Sequence, residues 1–251
     1  MAENLSHSGR SQPREPFIEA RASQPILQTI SHTTNHFSKM AVLPTDSPVE
    51  IATRSHALHI QHDWIGSAYD SKSQETIIWL AALYGYPGQS QQISALMAGL
   101  FSECEKNRKD FFDTSFFLTE LNFLLYRLGK GKWAIPLSGI RYLANRPSID
   151  IFNCGQVNPS IFFPGKPAIK PEFTTGNTLL GPLGLHPTFK PLSLTTSFQA
   201  GGLIVARALP SSDTGDNWND TFVNQSQLPL STLLDSIAQG NYSTLGMRAL
   251  R

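Results

Sequence analysis

Residues 149–209 constrain the fold more than any other part of the chain. They open Ile149-Asp150-Ile151-Phe152-Asn153-Cys154-Gly155-Gln156 and continue Pro159-Ser160-Ile161-Phe162-Phe163-Pro164-Gly165. Two apolar runs rich in β-formers flank a turn of Gly, Asn and Pro, which predicts a hairpin. Gly181-Pro182-Leu183-Gly184-Leu185 then marks a loop. After Gly201-Gly202 comes an apolar strand, Leu203-Ile204-Val205-Ala206, that ends abruptly on Arg207 before Ala208-Leu209. By periodicity alone this is the middle of a β-rich core.

The rest of the chain fits around that core. Residues 49–58 and 62–69 read as strands, and Glu75-Thr76-Ile77-Ile78-Trp79-Leu80-Ala81-Ala82-Leu83 is an apolar run of strand length stopped by Gly85-Tyr86-Pro87-Gly88. Residues 89–106 carry Ile93, Leu96, Met97, Leu100 and Phe101 at helical spacing. Residues 111–128 form a second helix with Phe117, Leu121, Leu124, Leu125 and Leu128 inward, closed by Gly129-Lys130-Gly131. Strands are expected at 133–143, 148–153, 160–163, 191–198, 203–209 and 243–250, and a last helix at 228–239. Helices and strands are grouped rather than alternating, so the predicted class is α+β with mainly antiparallel sheets.

Composition excludes several functions. The chain has 251 residues, 40% hydrophobic and 16% charged, with a net charge of +1. A core is affordable, but no strong field draws nucleic acid or a membrane surface. The two cysteines, Cys104 and Cys154, fall in different elements and read as buried thiols of a reducing cytosol. No apolar run approaches the ~18 residues of a membrane span, and the polar start shows no secretory h-region. Residues 1–48 read as a flexible polar leader, with a short helix at 15–30 interrupted by Pro25.

Six segments, in order, resemble motifs of the metal-dependent PPM protein phosphatases, in the bacterial branch of sporulation-stage-II-E and sigma-regulator serine phosphatases. His62-Asp63-Trp64-Ile65-Gly66 stands where that branch has a G-D-W-Y-D-like stretch. Ala81-Ala82-Leu83-Tyr84-Gly85-Tyr86-Pro87-Gly88 stands for G-D-V-S-G-H-G, followed by Ile93-Ser94-Ala95-Leu96-Met97 on the next helix. Asn153-Cys154-Gly155-Gln156 is similar to N-A-G-H, and Pro182-Leu183-Gly184-Leu185 matches P-L-G-L outright. Ala206-Arg207-Ala208-Leu209 stands for T-D-G-L, and Asn241-Tyr242-Ser243-Thr244 for D-D-x-T. The resemblance spans residues 49–251. It implies a four-layer αββα sandwich, two mainly antiparallel sheets flanked by helices.

The departures bear on function. By the resemblance, aspartates of these motifs hold two Mg²⁺ or Mn²⁺ ions that activate a water toward a phosphoserine or phosphothreonine. Such ions require hard carboxylate oxygens. Here the aligned positions are Ala82, Arg207, Asn241 and Tyr242, and only Asp63 survives as a candidate metal ligand. An arginine in place of a carboxylate repels a divalent ion by roughly 8 kcal/mol at ~4 Å and an effective dielectric near ~20. The expectation is therefore a pseudophosphatase: no catalytic residues, no cofactor, and a regulatory role through a protein partner of the signalling or sigma-regulatory kind, in a bacterial-type cytoplasm. Two alternatives stay open. One is a weak Mn²⁺- or Mg²⁺-dependent phosphatase with ligands supplied by Asp213, Asp216, Asp220 or Asp235. The other is a phosphate or phosphopeptide binder using Arg207. His56, His59 and His62 read as solvated histidines, Cys154 as core, and Lys130 and Lys132 as loop charges.

Overall fold

The computed structural model describes residues 41, 43–54, 63–83, 86, 88–106, 112–156, 158–171, 181–191, 193–208, 227–237 and 243–250. In chain order these form β1 (Val49–Arg54), β2 (Asp63–Asp70), β3 (Glu75–Ala82), α1 (Ser90–Lys106), α2 (Thr114–Gly129), β4 (Leu137–Leu143), β5 (Ser148–Cys154), β6 (Ser160–Phe162), β7 (Ser193–Ser197), β8 (Leu203–Arg207), α3 (Leu230–Ile237) and β9 (Thr244–Ala249). One sheet runs β2-β3-β4-β5-β7 and the other β1-β9-β8-β6. Every pairing in both is antiparallel. The class is α+β, as expected.

Side-chain alternation explains the layering. Trp64, Ile77, Trp79 and Phe152 of the five-stranded sheet pack against Ile93, Met97 and Phe101 of α1 and Phe117, Leu121 and Leu125 of α2. The alternate residues Ile65, Ile78, Leu80, Ile140 and Ile151 meet Ile51, Ile204, Leu245 and Met247 of the four-stranded sheet. On the far side Ala52, Phe162, Leu203 and Val205 receive Leu230, Leu233 and Leu234 of α3. Helices, sheet, sheet and helix thus make the four layers. The chain upstream joins this packing by Leu43, which is buried between the sheets. Pro48 accepts a hydrogen bond from Leu250 N at 2.9 Å. Ordered packing therefore reaches back past the expected boundary at residue 48.

Three expectations change. The hairpin does not form: β5 pairs with β4 and β7, whereas β6 pairs with β8 in the other sheet. Between them Gly155 turns at φ 72°, and Asn153 folds its side chain onto the backbone of Gln156 at 3.0 Å. That turn carries the chain across the sandwich. The strand expected at 133–143 begins only at Leu137, because Pro136 has no N–H to give the ladder. Leu128, expected inward, is 57% exposed at the end of α2.

The close of α2 also differs from the glycine logic. Lys130, not a glycine, occupies the left-handed position at φ 51°, with Gly131 N donating to Tyr126 O at 3.1 Å. A Cβ in that region is disfavoured by about 1 kcal/mol. Lys130→Gly is therefore expected to stabilise the fold by about 1 kcal/mol, read as a higher midpoint in urea. An unchanged or lower midpoint would contradict it.

Candidate functional site

Asp63 opens β2 directly across from Ala82, which closes β3. Residues opposite one another in a ladder share a face, and Ala82 belongs to the packing between the sheets. Asp63 is 4% exposed, and its Oδ1 has no hydrogen bond. Burial pushes its carboxyl up to about 6, offset in part by the Ser243 hydroxyl and the Leu83 backbone N–H, both of which favour the ionised form. Ser243 Oγ is itself buried and makes no other hydrogen bond.

The other wall comes from β8 and β9. Ile204, Ala206 and Ala208 face the space between the sheets, whereas Leu203 and Val205 face α3. Alternation therefore puts Arg207 on the α3 side and the methyl of Ala208 toward the cleft. Ala208 N donates to Ser243 O at 2.9 Å, which continues the Arg207–Thr244 register by one step. The described cleft end thus gathers one carboxylate (Asp63), two methyls (Ala82, Ala208) and one hydroxyl (Ser243). Arg207 is buried at 4% exposure.

Above this end lies the turn after β5. Gln156 is buried, donates from Nε2 to Pro136 O at 3.4 Å and leaves Oε1 without a partner. Pro136 O also accepts from Ala82 N at 3.1 Å, so Gln156 is tied to the same strand end as Ala82. Asn153 holds the turn through Gln156 and Asn158. Pro182-Leu183-Gly184-Leu185 docks beside it. Leu183 bridges to Ile135, and Asn122 of α2 accepts from Gly184 N at 2.9 Å and donates to His186 O at 3.0 Å.

Several residues singled out by sequence find other places. Cys154 is buried against the α1/α2 core, and its thiol is pushed up to about 12 by desolvation, which leaves it no thiolate character near neutral pH. Cys104 is likewise a buried free thiol pushed up to about 12 by burial first and by Asp113, Glu103 and Glu105 after it. Lys130 is the helix cap described above. Asp235 is exposed on α3 and pairs with Arg54 at 2.6 Å, away from the cleft. Asn241, Tyr242, His56, His59, His62, Asp213, Asp216 and Asp220 lie outside the described residues. Ala208, Ser243, Asn122 and Gln156 went unnoticed as site or scaffold residues. Gln156, Ala208 and Ser243 each lie in a segment quoted for the resemblance, which was their signal, whereas Asn122 had none.

A dinuclear Mg²⁺ or Mn²⁺ centre needs several carboxylates on one cavity. Among the described residues no three or more His, Cys, Asp or Glu side chains come together for a metal, and the cleft end offers Asp63 alone. The described donor set does not fit such a centre.

This arrangement of layers and strand ends is the PPM-type phosphatase fold. No protein-family model and no curated protein matches the chain. Solved structures do. RsbX in complex with magnesium superposes with a TM-score of 0.58 at 14% identity, over 80% of this chain and 94% of that one. The RsbU and RsbW domains of a Mycobacterium tuberculosis protein give 0.62 at 12% identity, over 80% and 60%. The PP2C phosphatase domain of SpoIIE from Bacillus subtilis, with a fragment of its regulatory domain, gives 0.57 at 11% identity, over 80% and 64%. At these identities the likeness is one of fold. Among the described residues no helix is long and apolar enough to cross a membrane.

Proposed function

We propose that this chain is a catalytically inactive PPM-phosphatase-like domain that works as a regulatory interaction module, with a protein of a cytoplasmic signalling system as its partner. A single observation carries the reading. The side chains that share the cleft end with Asp63 are the methyl groups of Ala82, beside it on the same sheet, and of Ala208 on the facing wall, where a metal centre would require carboxylate oxygens. The solved neighbour SpoIIE, a cell fate determinant with a regulatory domain, supports a signalling setting by analogy of fold. Residues before the packed region would form a separate leader.

The weak-phosphatase reading retains one supporting observation, Asp63 itself. A carboxylate buried with an oxygen unsatisfied is destabilising, and such groups cluster at functional sites. The phosphate-binding reading would require Arg207 to reach the cleft, whereas strand alternation puts it on the side of Leu203 and Val205.

Millimolar Mn²⁺ is expected to leave the melting temperature unchanged, because an ion held by the native state would raise it. No turnover of a phosphoserine peptide is expected under the same conditions. Mn²⁺-dependent turnover that disappears in Asp63→Ala and in Asp216→Ala would replace the inactive reading with the enzymatic one.

A further inference from the structure

We infer that the outward face of α2 is a homotypic docking surface whose partner is the same helix of a second copy, packed antiparallel about a twofold axis. Phe116, Glu120, Phe123 and Arg127 recur at steps of four, three and four residues, so they line one face of the helix. That face is opposite the buried Phe117, Leu121 and Leu125. Phe116 and Phe123 are each 43% exposed, an unusual investment in aromatic surface on a solvent face. The guanidinium of Arg127 lies 5.5 Å from the centre of the Phe123 ring, which turns part of the stripe into a cation–π platform that strengthens when water is excluded.

The charges identify the occupant. The acids of the face, Asp113 and Glu120, lie in its N-terminal half, and the bases, Arg127 and Lys130, in its C-terminal half. A parallel neighbour would set like against like. An antiparallel copy sets the acidic half of one helix along the basic half of the other, twice over by symmetry. The stripe is also centred on its own midpoint. With the twofold between Glu120 and Phe123, Phe116 of one copy comes level with Arg127 of the other, and each Glu120 lies one turn from the opposing Arg127. An isologous interface needs a surface that complements itself, and this face does. The inference does not rest on the state of the cleft, because pairing through α2 asks nothing of Asp63.

Sedimentation of the full chain between about 1 and about 200 µM tests it, since a dimer of this kind must respond to concentration. A concentration-dependent dimer is expected. Phe123→Asp should abolish it while the circular dichroism stays that of the parent. Glu120→Arg and Arg127→Glu should each weaken the dimer about tenfold, and the two together in one chain should restore it, because the exchanged charges again face each other. A monomer throughout the range overturns the inference, whether the face is open or covered by another segment of the chain. So does a dimer that Phe123→Asp leaves intact, or a double exchange that fails to restore association.

Discussion

Asp63→Asn is expected to stabilise the protein by about 2 kcal/mol near pH ~8 and by almost nothing near pH ~4. The carboxyl of Asp63 is raised from 3.8 to about 6, first by burial. The folded state therefore holds the proton more tightly than the unfolded chain does. That advantage is fully present below about pH 4 and is lost as the pH rises through about 6. Two units correspond to about 3 kcal/mol. Asparagine escapes this cost because it carries no charge to desolvate, and its amide oxygen can accept from the Leu83 N–H. Its added Nδ2 must find the Ser243 hydroxyl, which keeps the gain below the full amount. Urea unfolding of both proteins at three pH values around 6 decides the matter. A gain that does not grow with pH would mean that burial of the charge is not what Asp63 costs the fold. A loss at pH ~8 would mean that the native protein compensates the carboxylate with a bound cation, and the inactive reading would fall with it.

The same strand ends show how far the sequence alone could be read. The continuous apolar runs at 75–83 and 203–206 became β3 and β8, because a strand covered on both faces must be apolar on both. The helical spacings of Ile93, Met97 and Phe101 and of Phe117, Leu121 and Leu125 became the buried faces of α1 and α2. Motif order likewise led to a four-layer sandwich. At single-residue resolution the reading was weaker, for a reason of geometry. In a strand a shift of one position turns a side chain to the opposite face. Aligning Arg207 with the aspartate of a T-D-G-L-like segment placed it in the cleft, whereas alternation from Ile204 and Ala206 places Ala208 there. The turn after β5 was legible as a turn, but nothing local says whether a turn returns a strand to its own sheet or delivers it to another. Nothing local in the sequence marks Asn122, a polar residue in an apolar helix. Its role in holding Gly184 N and His186 O depends on partners more than sixty residues away in sequence.

Gly139→Ala is expected to destabilise the fold by about 3 kcal/mol and to lower the melting temperature by roughly 10 °C. Read as sequence, a glycine inside a strand merely weakens it. Here it makes room for an indole. Gly139 lies across the ladder from Trp79, and a Cβ at 139 would meet Cζ3 of that ring at 2.1 Å and Cε3 at 2.3 Å. Trp79 cannot retreat: it is fully buried, with Phe117 at 5.2 Å and Phe152 at 5.4 Å between ring centres. One methyl must therefore displace the ring that joins the five-stranded sheet to α2, or bend β4 away from β3. Bending would reach the cleft as well, because Pro136, just ahead of β4, receives the Ala82 N–H. Gly99→Ala is the matched control. Nothing lies within 4 Å of a Cβ there, and within α1 alanine should gain about 0.5–1 kcal/mol over glycine. Opposite signs for the two substitutions in thermal unfolding are expected. A Gly139→Ala protein that melts with the parent would show that the Trp79 ring has space the packing denies it, and the tie between sheet and helices would need another origin.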